Sequence, residues 1–89
     1  MKYAIKIFKV LSNEKRVKIL KLLINGDELS VGEISEELKM PFVTISRHLE
    51  KLRTAELVKF REQGLKIYYS LAEPNNFLVK NLISLLRKI

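Results

Sequence analysis

Ser30 to Leu52 reads SVGEISEELKMPFVTISRHLEKL, a stretch in which two helices meet at a sharp break. Ser30-Val31-Gly32-Glu33 has the form of a capping box, the serine hydroxyl and glutamate carboxylate each satisfying the other's backbone end. It opens a short helix through Ile34 and Leu38. Lys39-Met40-Pro41 ends that helix, because proline disfavours helical geometry in the residue before it. Beyond the break, a rotation of about 100° per residue puts Ile45, Leu49 and Leu52 on one side, the side that faces a core. Val43, Arg47, Glu50 and Thr54 fall opposite, Ser46 and Thr44 on the two flanks, Lys51 beside Thr44, and His48 nearer the apolar side. Two helices around a tight turn at this spacing form a helix-turn-helix.

Working outward, Tyr3 to Leu11 alternates lysines with apolar residues over a wide helical arc. Ser12 or Asn13 then caps a second helix whose face is Val17, Leu20, Leu23 and Ile24, and Asn25-Gly26 supplies a left-handed stop. On the other side, Leu57 to Glu62 alternates, Gln63-Gly64 breaks the run, and Leu65 to Leu71 resumes it, as in an antiparallel hairpin. Of Tyr68 and Tyr69, one faces inward and one outward. Pro74 is placed for the first turn of a last helix from Asn75 to about Ile89. The expectation is one domain over residues 1–89, mainly α with a β-hairpin: a winged helix-turn-helix of order ααααββα.

Seventeen Lys and Arg against 10 Asp and Glu give a net charge of +7, unevenly spread. Residues 1–25 carry +6, 26–41 carry −4, 42–71 carry +3 and 72–89 carry +2, so a polyanion is the partner this charge suits. With no cysteine there is no disulfide, thiolate metal site or thiol switch. One histidine is too few for a metal cluster; His48 reads as a packed or backbone-bonded side chain, with a phosphate contact as the next reading. Lacking a Gly-rich phosphate loop as well, the sequence offers no catalytic constellation and implies no cofactor. Its N-terminal apolar pattern is interrupted by lysines, unlike a signal segment or membrane span, and a cytoplasmic location is expected.

The outer face of the second helix of the motif suits the major groove of double-stranded DNA. There Arg47 can pair with guanine N7 and O6, Ser46 and Thr44 can reach bases or phosphates, Val43 can touch a thymine methyl, and Lys51 a phosphate. A merely solvated face is the bland alternative, and the capped helix before it and basic hairpin after it weigh against that. Arg61, Gln63 and Lys66 sit at or near the hairpin tip, placed for the sugar-phosphate backbone or minor groove. Basic residues also protect exposed strand edges from aggregation. The first and last helices are apolar beyond one packing face, so Ile5, Phe8, Leu78, Leu82, Leu85 and Leu86 are expected to join two copies in a homodimer. Burial of the two helices against each other within one chain is the other possibility. A symmetric dimer would read an inverted repeat.

These same stretches resemble the ArsR/SmtB type of winged-helix transcriptional repressor. The resemblance runs through Phe8–Leu23, Val31–Leu38, Thr44–Arg53, Leu57–Lys59 and Lys66–Leu71, nearly the whole chain. It implies a homodimer joined through first and last helices and binding operator DNA. The chain departs from the family pattern where metal sensors carry a Cys-containing motif, having Leu29-Ser30-Val31-Gly32-Glu33 there, and its last helix lacks the His and acidic ligands others use. Pro41 and Phe42 stand where the family usually has small polar or Gln residues, Glu56 replaces a helix-ending Gly, and Leu65 replaces a wing Arg. No effector is identified. A rival from another class is a winged helix serving as a protein-interaction module in a multi-subunit assembly, for which exposed Phe42 and Val43 would be the mark.

Overall fold

The computed structural model describes residues 2–25, 28–74 and 76–89. Its elements are α1 (Lys2–Leu11), α2 (Glu14–Ile24), β1 (Leu29–Ser30), α3 (Val31–Leu38), α4 (Phe42–Thr54), β2 (Val58–Gln63), β3 (Lys66–Leu71) and α5 (Phe77–Lys88). The order matches the winged helix-turn-helix expected, with one addition. Leu29 and Ser30 pair with Tyr69 and Tyr68 of β3, making a three-stranded antiparallel sheet in the order β1-β3-β2. A two-residue strand has no alternation to detect, so the periodicity of the sequence is silent on it.

Local chemistry sets the boundaries. Asn13, not Ser12, caps α2, its side-chain oxygen accepting from the N–H groups of Lys15 and Arg16 at 3.0 and 3.2 Å. The box at α3 is complete: Ser30 Oγ accepts from the Glu33 N–H at 3.1 Å, and Glu33 Oε1 accepts from the Ser30 N–H at 2.8 Å. Lys39 turns α3 off in the left-handed region (φ 54°), and Ser35 Oγ donates to the Met40 carbonyl. Pro41 then precedes α4 without a side-chain cap, while its carbonyl accepts from the Ile45 N–H. At the far end of α4, Glu56 has φ 63°, with Leu57 N–H bonded to Leu52 O and Glu56 N–H to Arg53 O. This is a Schellman stop, the left-handed position where the family's usual glycine would sit.

Two boundary expectations need correction. Pro74 lies before α5 rather than in its first turn, because Asn76 is the cap, accepting from the Val79 N–H at 3.0 Å, and the helix starts at Phe77. Asn25 ends α2 with φ −68°, so it supplies no left-handed stop itself; Gly26 and the expected start at Asn75 lie outside the described residues.

The core gathers Ile7 of α1, Ile19, Leu20 and Leu23 of α2, Ile34 of α3, and Ile45, Leu49 and Leu52 of α4, all removed from water. Val58 and Tyr69 of the sheet and Val79 and Ile83 of α5 close it. Each such side chain contributes about 1.5–3 kcal/mol by leaving water, and that burial fixes the tilt of α4 on α2 and α3.

Candidate nucleic-acid interface

Because Ile45, Leu49 and Leu52 are wholly buried, the opposite face of α4 must point away from the protein. Val43 is 61% exposed, Arg47 and Lys51 are exposed, and Thr44 and Ser46 are half-buried at the flanks, the arrangement expected from the sequence. Arg47 makes no ion pair among the described residues. Glu50, on the same face, is tied to Arg53 in an ion pair, and Arg53 lies over the Phe60 ring of β2 at 5.6 Å. That pair holds the Glu50 carboxyl below the usual range and reduces the negative charge it presents beside Arg47.

The wing is β2 and β3 in register from Val58↔Leu71 to Gln63↔Lys66. Gly64 carries the positive φ of 62° that the two-residue turn requires, and Leu65 stands wholly in solvent at its tip. Gln63 and Lys66 flank the tip as expected. Arg61 lies two residues down the strand from Gln63, pairing with Tyr68 in the ladder. Its guanidinium donates to both carboxylate oxygens of Glu28 at 2.7 Å and covers the Tyr68 ring at 4.8 Å. A third donation goes to Gln63. The Glu28 carboxyl is consequently lowered from its ordinary pKa, chiefly by the Arg61 hydrogen bonds. Arg61 thus braces the wing against the segment before β1.

His48 is half-buried and accepts at Nδ1 from Arg16 Nε at 3.2 Å; its partner is a side chain, where the sequence suggests packing or a backbone bond. Arg16 Nη1 also donates to the Val10 carbonyl at 3.2 Å, so one guanidinium links the end of α1 to α4. Burial first, then the charges of Arg16 and Lys15, hold the imidazole below its ordinary value of 6.5. At neutral pH it is therefore uncharged, with its proton on Nε2.

Arg16, Glu28, Arg53, Phe60 and Lys6, whose Nζ donates to the Thr54 carbonyl at 3.1 Å, all escape a reading of the sequence. Several of these bonds join residues more than 30 positions apart, and no local spacing announces them. No group of three or more His, Cys, Asp or Glu among the described residues could hold a metal ion. No described helix is long and apolar enough to cross a membrane.

Known proteins share this architecture. The chain is 36% identical over 86 residues to the transcriptional activator HlyU of Vibrio cholerae, covering 97% of this chain and 76% of HlyU. The structure of reduced HlyU superimposes with a TM-score of 0.83 over 97% of this chain and 86% of that one. The transcriptional repressor PagR of Bacillus anthracis is 39% identical over 83 residues, 93% of this chain and 80% of PagR. A homodimeric winged helix-turn-helix DNA-binding domain from Mycobacterium bovis, Mb0332, gives a TM-score of 0.82 at 31% identity, covering 98% of this chain and 77% of that one. A sequence profile described as "Bacterial regulatory protein, arsR family" matches residues 13–59, which hold α2, α3, α4 and the start of the wing. Profile, relatives and geometry agree on a regulator built around a DNA-binding motif rather than an enzyme, and the chain belongs to the arsR family of bacterial regulatory proteins.

Proposed function

We propose that the chain acts as a homodimeric repressor that binds an inverted-repeat operator, inserting α4 of each protomer into the major groove. The observation that carries this reading is α4 itself: three wholly buried residues fix it to the core, and Val43, Arg47 and Lys51 stand out beyond it with the flanking hydroxyls of Thr44 and Ser46. Arg47 pairs with a guanine, Val43 meets a thymine methyl, Ser46 and Thr44 reach base edges or phosphates, and Lys51 neutralises a phosphate. Gln63 and Lys66 follow the adjacent backbone; Arg61 contributes by bracing the wing.

Homodimerisation is supported by two apolar flanks left uncovered among the described residues. On α1, Ile5 and Phe8 are half exposed; on α5, Leu85 is as open, and Ile89 at its end is more so. Leu78, Leu82 and Leu86 are half-buried against the protomer's own core and would complete the interface from its edge. Mb0332 is a homodimer, and PagR is a repressor whereas HlyU is an activator. Repression is the simpler outcome in physical terms, since a dimer seated on its operator obstructs polymerase by occupancy alone and activation requires a further favourable surface.

Selection of bound duplexes from random DNA tests the reading. An enriched inverted repeat with half-sites about one helical turn apart is the expected result. Enrichment of nothing, together with binding that ignores salt, would reject it in favour of the protein-interaction module that exposed Phe42 and Val43 would serve.

A further inference from the structure

Between α1 and α4, away from the wing, runs an open cleft of about 430 Å³. It is lined by the cations Lys2, Lys6, Lys9, Arg16 and Lys51 together with Ile5 and Val10, with no carboxylate in its walls. We propose that it is a phosphate site, occupied by the DNA backbone on the side of the major groove opposite the wing. The proposal rests on the reading of α4 as the helix lodged in that groove.

Charge supports it first. Elsewhere three cations are paired with carboxylates, Lys18 with Glu14, Arg53 with Glu50 and Arg61 with Glu28. The five cations of the cleft form no such pair among the described residues. They converge from α1, α2 and α4, and two are anchored despite their mutual repulsion. Lys6 Nζ rests on the Thr54 carbonyl, and Arg16 is held by His48 and the Val10 carbonyl. An ammonium resting on one carbonyl retains two donors for an anion.

Position supports it second. A helix with its side chains is about 10–12 Å across and the major groove about 12 Å wide, so both bounding phosphate backbones come within reach of the flanks of α4. On one flank, Ser46 and Phe42 face Leu65 and Lys66 of the wing across a second cleft. On the other, Lys51 faces the α1 lysines. Without the lysine cleft only one wall of the groove would meet cations from outside α4. In α1 the positions 2, 6 and 9 make one stripe, and Ile5 and Phe8 lie on the neighbouring flank. Ile5 borders the cleft as well, so a second copy seated on the apolar flank would lie against its edge, beside the lysine stripe rather than over it.

The test compares the wild-type chain with Lys2→Gln/Lys9→Gln, whose side chains make no hydrogen bond among the described residues and whose removal leaves the core untouched. Lys18→Gln/Lys21→Gln removes equal charge away from the cleft. Binding to the selected duplex is followed by fluorescence anisotropy from low to high salt. The cleft variant should bind severalfold or more weakly at low salt, and its log–log salt slope should fall by about 0.9 for each phosphate no longer neutralised, with the enriched sequence unchanged. The control variant should keep a slope near that of the wild type. Replacing phosphates one at a time by neutral methylphosphonates should reveal positions that weaken the wild type but not the cleft variant. Coincident slopes for wild type and cleft variant, equal weakening of both variants, or a difference seen only with free tripolyphosphate would overturn the proposal. If the wild type binds no duplex, the reading of α4 fails as well; if it binds and the cleft variant is indifferent, only the cleft reading fails.

Discussion

On the proposed reading Arg47 carries the heaviest burden at the scale of single residues, because it is exposed at the centre of the outer face of α4 and, unlike Glu50 beside it, makes no ion pair among the described residues. Arg47→Ala should cost about 1–3 kcal/mol of discrimination between the selected site and one altered at a guanine. Titration of both duplexes checks this, and an unchanged preference would remove the base contact. His48 makes a prediction of another kind. Its folded-state pKa lies below 6.5, because burial and the Arg16 and Lys15 charges disfavour the imidazolium and Arg16 already occupies Nδ1. As pH falls, the unfolded chain takes up this proton first, so the stability contribution is complete above about 6.5 and is lost from there down to the folded value. It is the only histidine, so the urea midpoint of the wild type should drop across that window. His48→Gln keeps an acceptor for Arg16 but does not titrate, and its midpoint should stay level there.

Helices are legible in the sequence wherever their ends are made by side chains close in sequence. Ser30 and Glu33, Asn13, and the Lys39–Pro41 break can all be found because a cap and its target lie within a few residues. The outer face of α4 is legible for the same reason, since one helical period converts the buried Ile45, Leu49 and Leu52 into the exposed Arg47. The start of α5 is easily misplaced because Pro74 and Asn76 are both acceptable openings and only the second makes the cap bond. The brace of Arg61 on Glu28 and the bond from Arg16 to His48 span 33 and 32 positions, distances at which sequence pattern carries no signal. Ser30 joins these levels: it is buried, caps α3 and pairs with Tyr68 in the sheet that supports the wing. Ser30→Ala should lower stability by about 1 kcal/mol or more in urea unfolding, a typical cost for removing a cap. The Glu33 carboxyl, held low chiefly by the Ser30 backbone N–H, should move back toward its ordinary range because its alignment depends on the reciprocal bond. An NMR titration of Glu33 in the two proteins reads that shift.

In the proposed dimer two copies share the reading of one operator, and the arithmetic makes dimerisation testable. Each protomer of the proposed dimer presents one recognition helix and one lysine cleft, and so engages only half of the site. Joining two such units makes the second half-site encounter intramolecular, so affinity for the full site exceeds that for a half-site by orders of magnitude without new base contacts. Phe8 is 55% exposed on the α1 flank and lies outside the buried core cluster, so its replacement should act chiefly on association. Phe8→Glu would place a carboxylate in an apolar contact against its own symmetry mate, where like charges and desolvation both oppose pairing. Sedimentation at low micromolar concentration should show the wild type as a dimer and the variant as a monomer with an unchanged circular dichroism spectrum. In the same duplexes the variant should bind full site and half-site almost equally, and its salt slope on the full site should fall to about half, since half the phosphates are engaged at once. A variant that sediments as a dimer would move the interface away from α1. A wild type that is monomeric yet binds the inverted repeat tightly would require the two copies to associate only on DNA.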